Sequence, residues 1–128
     1  MEYCFIRTLD ESMPRAIDRV TEALGRKGFG VLTRIDVQET LKKKIGADMP
    51  PYVILGACHP QFAHQALLAE ARIGTMLPCN VVVRAVDSGR VEVAAVDPVA
   101  SMAAIDNPAL GSVASQVRAL LREVVESL

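Results

Sequence analysis

Hydrophobic and polar positions alternate with two periods along this chain, and the switches between them predict its elements in order. Tyr3 to Leu9 (YCFIRTL) is a short run rich in β-formers, followed by Asp10-Glu11-Ser12, which reads as a strand leading into a helix start. Met13, Ile17, Val20 and Leu24 then recur at spacings of three and four, with Arg15, Asp18, Arg19 and Glu22 on the other side. This predicts an amphipathic helix, closed by Gly25 or Gly28. In FGVLTRI, Phe29, Val31, Thr33 and Ile35 alternate against Gly30, Leu32 and Arg34, the period of a strand.

Asp36 and Glu39 have the spacing of a capping box with Asp as the cap; Val37, Leu41 and Ile45 form the stripe of a short helix that Gly46 stops. Pro50-Pro51 force extended chain into YVILGAC, whose two alternating sets are both apolar, as expected of a strand covered on both faces. Pro60 suits the first turn of a helix running through Phe62, Ala63, Ala66 and Leu67 to about Arg72. After Pro78, CNVVVRAV and RVEVAAV flank Asp87-Ser88-Gly89, the signature of a hairpin, and Asp97-Pro98 ends the pair. The stretch VASMAAIDNP is expected to be a loop or short helix. From Leu110 to Leu128 the apolar positions fall within one arc of about 140°, so the longest helix is expected there.

Strand, helix, strand, short helix, strand, helix, hairpin, helix is the order of a single α+β domain over residues 1–128. Its helices are expected on one face of a mainly antiparallel five-stranded sheet. Strands apolar on both faces leave the second sheet face wanting cover, and a homodimer is the expected source of it.

Composition narrows the functional classes. Fourteen Lys plus Arg against fifteen Asp plus Glu leave a formal charge of -1, without the basic footprint that nucleic acid or an anionic membrane requires. Glu2, Arg7, Asp10 and Glu11 interrupt the first residues where a secretory signal needs an apolar core, and no long apolar run follows. A soluble, cytoplasmic protein is the expectation. With 51% apolar residues but only 4% aromatic, the core must be Val, Leu, Ile and Ala.

Cys4, Cys58 and Cys79 are odd in number and lack Cys-x-x-Cys spacing, which points to free thiols ahead of a disulfide scaffold or zinc ribbon. Two of them stand in GACHP (Gly56 to Pro60) and LPCN (Leu77 to Asn80), the one concentration of candidate chemistry. A zinc site from Cys58, His59, His64 and Cys79 is disfavoured. Adjacent strand residues point to opposite faces, and histidines five apart do not share a helix face.

Three readings stay open. In the first, amides at the helix start together with His59 and Asn80 hold a small polar or anionic ligand, while Cys58 and Cys79 line the wall. In the second, the helix start favours a Cys58 thiolate, giving a Cys58/Cys79 redox pair or a nucleophilic Cys58. In the third, the cysteines are packed core residues and a dimer surface is the functional part. No reaction and no cofactor follow from the residues, and a binding or accessory module is expected ahead of an enzyme. Gly25, Gly28 and Gly30 lie between a helix and a strand, the reverse of a dinucleotide fingerprint, and read as a turn; Lys42 to Lys44 read as a solvated helix end.

The segments GFGVLTRIDVQETLKKKIG (Gly28 to Gly46), PPYVILGACHPQFAHQAL (Pro50 to Leu67), IGTMLPCNVVV (Ile73 to Val83) and VEVAAVDP (Val91 to Pro98) together resemble the bacterial and archaeal domain of unknown function 302 family. The resemblance covers nearly the whole chain and implies an α+β fold of the strand, helix, four strands, helix type. It brings no reaction, cofactor or catalytic residue. It implies similarity among members at the positions of Cys58, Pro60, Pro78, Cys79 and Asn80, and asparagine more often than histidine at the position of His59.

Overall fold

The computed structural model describes residues 2–128. Its strands are β1 (Cys4–Leu9), β2 (Gly30–Asp36), β3 (Tyr52–Cys58), β4 (Cys79–Asp87) and β5 (Arg90–Val96). They form one sheet in the order β1-β5-β4-β3-β2 with every neighbouring pair antiparallel. The helices are α1 (Met13–Arg26), α2 (Val37–Ile45), α3 (Pro60–Ala69), the single turn α4 (Pro98–Ser101) and α5 (Pro108–Glu126), with a 3₁₀ turn at Ile73–Met76. The α+β class, the single sheet and the helices on one face are as the sequence predicts.

Local signals account for most boundaries. The Ser12 hydroxyl caps α1, and Gly28 at φ +88° turns the chain back towards β2 after the helix ends. The Asp36 carboxylate accepts from the Glu39 amide at 2.9 Å to start α2, and Gly46 closes it at φ +67°. Two residues, Ser88-Gly89, turn the β4–β5 hairpin, Gly89 adopting φ +87°.

The core lies between the sheet and helices α1 and α5. Period-two alternation sends Val53, Leu55 and Ala57 of β3, Val81 and Val83 of β4, and Val91, Val93 and Ala95 of β5 towards the helices, all buried. Val20 and Leu24 of α1 and Leu121 and Val124 of α5 meet them, each removed from solvent. At roughly 2–3 kcal/mol for each fully buried large apolar side chain, this layer supplies the main drive for folding. A smaller cluster of Ala66, Ile73, Met102, Leu110 and Ala114 joins α3 and α5.

Two expectations are corrected. Phe29, Val31, Thr33 and Ile35 do not share one face of β2: Val31 pairs with Ala57 but Thr33 pairs with Gly56, so Leu32 is an extra residue in a bulge. Beyond it Thr33 and Ile35 turn to the far side of the sheet, where Ile35 is 49% exposed. Helix α3 stops at Ala69 short of Arg72, because Asn107 Nδ2 donates to the Ala69 carbonyl at 2.9 Å and replaces the partner a continuing helix would provide.

The sheet's other face stays open. Ile54, Val82 and Ala94 are half-buried along it, Ile6 is 58% exposed, and Arg84 pairs across strands with Glu92 at 3.0 Å. None of the helices among the described residues is long and apolar enough to cross a membrane.

Candidate functional site

Where β3 ends and β4 begins, helices α3, α4 and α5 meet the sheet around a cavity of about 340 Å³. Its floor is Ala57 and Cys79, a directly opposed pair on β3 and β4. Phe62, Ala63 and Ala66 of α3 form one wall, Val113, Ala114 and Val117 of α5 the other, and Pro98 and Met102 close the far end. Leu32, Thr33, Leu67, Leu77 and Pro78 rim the opening. The space exists because alanines stand where the two helices and the sheet converge; larger side chains at these positions would fill it. No Lys, Arg, Asp or Glu side chain lines it.

Of the residues singled out in sequence, Cys58, His59 and Cys79 line this cavity and Asn80 does not. Asn80 directly follows Cys79 on β4, so alternation points it to the open face, where it is exposed. The expectation that Asn80 shares a pocket with the two cysteines is thereby corrected.

His59 contributes its ring rather than a polar atom. The imidazole lies edge-on to Phe29 with ring centres 5.3 Å apart and 4.6 Å from the ring centre of Phe62. Nε2 sits 2.7 Å from where a β-carbon on Gly28 would be, so glycine there serves the turn and leaves room for the ring. Nδ1 is buried without a hydrogen-bond partner, and His59 precedes α3 without capping it. His64 lies outside the cavity and is exposed; among the described residues no group of three or more His, Cys, Asp or Glu is placed to hold a metal ion.

All three cysteines are free thiols. Cys79 is buried, and desolvation first, then the nearby Cys58, push its thiol up from the ordinary value of 9.0 to about 11. At neutral pH it is a protonated, weakly nucleophilic group. The register places Ala57, not Cys58, opposite Cys79, so alternation directs the two thiols to different sides of the sheet; both reach the cavity because it continues around the strand end.

The raised thiol links stability to alkaline pH. The folded state holds the Cys79 proton more tightly than the unfolded chain, so its contribution is fully present below pH 9 and is lost as pH rises from 9.0 to about 11. The expected loss is about 3 kcal/mol at the top of that window. Urea titrations at stepped pH should show it in the parent protein and show a flatter alkaline limb in Cys79→Ala; equal slopes would contradict the assignment.

Asp97 holds the cavity's far wall in place. Buried at the end of β5, it accepts from the Val99 amide at 2.9 Å, capping α4, and from Arg118 Nε of α5 at 3.0 Å. Pro98 and Met102, which it positions, face the cavity.

A family model described as domain of unknown function DUF302 matches residues 5–128. The chain belongs to the DUF302 family. The crystal structure of an uncharacterized conserved protein DUF302 from Bacillus stearothermophilus is 30% identical, covers 98% of both chains and superposes with a TM-score of 0.90. No curated protein matches the chain. Several cavity residues of this DUF302 chain escape a motif-based reading. Phe29 reaches GACHP only in three dimensions, and Val113 and Ala114 read as ordinary positions on the apolar stripe of α5. The available signal was Ala63 and Ala66, small residues three apart on one face of a helix with few charges.

Proposed function

We propose that this DUF302 protein is a binding module for a small, largely apolar molecule held between α3, α5 and the sheet end. One observation carries the reading: a cavity of about 340 Å³ whose lining includes no charged side chain. That volume suits about ten water- or methylene-sized groups and falls at the lower end of ligand pockets. A polar or anionic ligand, the chemistry expected from the residue types, would lose its hydration here without compensating partners. An aliphatic or aromatic body meets complementary surface on Phe62, Val113 and Met102, with the Cys58 and Cys79 sulfurs as soft contacts.

Titration with the neutral apolar fluorophore N-phenyl-1-naphthylamine tests this. Saturable binding at one site per chain is expected. Ala63→Phe, which places a ring inside the cavity, should weaken binding at least about tenfold while the melting temperature is maintained. Leu68→Ser, exposed on α3 outside the cavity, should leave binding unchanged. Absent binding, or binding indifferent to Ala63→Phe in a folded protein, would refute the reading.

A further inference from the structure

The cavity of the proposed function is a bent channel, closed at Pro98 and Met102 and open at the other end. Its inner part lies on the helix side of the sheet, between Val113, Val117 and Cys79. Cys58, Thr33 and Pro78 also line it, and these meet on the far side of the sheet, where Thr33 and Pro78 close over Gly56. The space therefore turns around the strand end. A rigid ring system would have to match that bend, whereas an alkyl chain follows it by rotating about its own bonds.

Nothing inside the channel receives a polar group. Thr33 and His59 are the only lining residues whose side chains carry nitrogen or oxygen. The Thr33 hydroxyl is folded against Gly56 at the rim, and His59 has Nδ1 buried and Nε2 directed at Gly28. A head group drawn inside would forfeit its hydration without gaining a partner. At the mouth, by contrast, apolar surface continues outwards: Leu32, the extra residue of the β2 bulge, is 69% exposed, and Leu67 of α3 is 45% exposed. A molecule confined to the interior leaves both leucines bare. One that passes between them covers both and ends in water.

From this we infer that the channel takes the alkyl chain of a single-chain amphiphile, end first, with the polar head left in solvent beyond Leu32 and Leu67. The inference rests on the binding reading above and narrows its ligand to a class. The 340 Å³ interior holds about ten methylene groups, and the two leucines cover the next few. With no charged side chain anywhere on the lining, the sign of the head is not read; the length of the chain is.

Isothermal titration with straight-chain alkanoates from hexanoate to hexadecanoate, each below its micelle-forming concentration, tests this. Kd should fall about fourfold for each added methylene up to about twelve carbons and then level off. Dodecyl chains bearing a carboxylate, a trimethylammonium or an uncharged maltoside head should bind within about threefold of one another. Dodecanoate should displace N-phenyl-1-naphthylamine one for one. Leu32→Ser and Leu67→Ser, both at exposed positions, should each weaken dodecanoate at least about fourfold and leave octanoate unchanged. Bound dodecanoate should slow alkylation of Cys58 on the channel wall and leave that of Cys4, outside it, unchanged, as peptide mapping reads. The inference is overturned, with the binding reading left standing, if the fluorophore binds but no chain displaces it, or if affinity ignores chain length. A preference of about tenfold or more for one head, rim variants that treat both lengths alike, or unprotected Cys58 overturns it equally. Absent fluorophore binding refutes the reading, and the inference with it.

Discussion

Gly56→Ala is expected to destabilise the protein by about 3 kcal/mol, at the upper end of what one added methyl in a packed site costs. A β-carbon at this position would lie 2.1 Å from Thr33 Oγ1 and 2.7 Å from Pro78 Cγ, inside contact distance of both. Thr33 is the Cα partner of Gly56 just past the β2 bulge, and its side chain folds over the glycine from one side while the Pro78 ring closes from the other. The glycine is needed for close approach, the use of this residue in a strand where neighbouring groups cross it directly. Thr33→Ala removes Oγ1 but leaves Pro78 in place. The double substitution should therefore recover part of the lost stability and not all of it, a non-additivity that a double-mutant cycle in urea reads directly. Full additivity of the two changes would show that the methyl is accommodated elsewhere. Since Thr33 and Pro78 rim the cavity, fluorophore binding should weaken along with stability.

Asp97→Ala is expected to cost about 2–4 kcal/mol. Asp97 is 8% exposed, and its carboxylate serves two elements together, capping α4 through the Val99 amide and accepting from Arg118 on α5. Losing a cap costs about 1 kcal/mol, and losing a charge-assisted hydrogen bond at a largely buried site adds about 1.5–3 kcal/mol. Arg118 is 40% exposed and can regain water, which keeps the effect below that of breaking a fully buried pair. Asp97→Asn retains a capping oxygen while discarding the charge, and should fall between the parent and Ala. Equal melting temperatures for Asn and Ala would assign the whole effect to the ion pair; equality of Asn with the parent would assign it to the cap.

The elements were legible in the sequence because each rests on interactions within a few residues. The 3- and 4-residue spacing of Ile17, Val20 and Leu24 makes one face of a helix whatever it packs on, and it is the buried face of α1. Asp36 three residues before Glu39, and Gly46 after Ile45, mark the two ends of α2 through contacts that need no tertiary partner. The apolar alternation of both sets in YVILGAC announced a strand, and β3 lies inside the sheet between β4 and β2. The cover expected on both faces is found on the helix side, where Val53, Leu55 and Ala57 are buried, while Tyr52 and Ile54 on the other side are half-buried. The α+β class followed from the order of these elements, and the family resemblance implies the same class.

What the tertiary structure decided are the relations between segments far apart in the chain. The bulge at Leu32 depends on β3 holding Ala57 and Gly56 opposite Val31 and Thr33, and it reverses the side on which Ile35 falls. The end of α3 at Ala69 depends on Asn107, whose side chain arrives from 38 residues away. The neighbourhood of Cys58 and Cys79 was visible as two suggestive motifs, yet its character was not. Whether such a site is polar or apolar is set by what packs over it, here the alanines of α3 and the valines of α5, and no local pattern encodes that meeting. Asn80 beside Cys79 makes the point at the smallest scale. One step along a strand separates a wall of the cavity from the opposite face of the sheet, because the pleat turns every second side chain away.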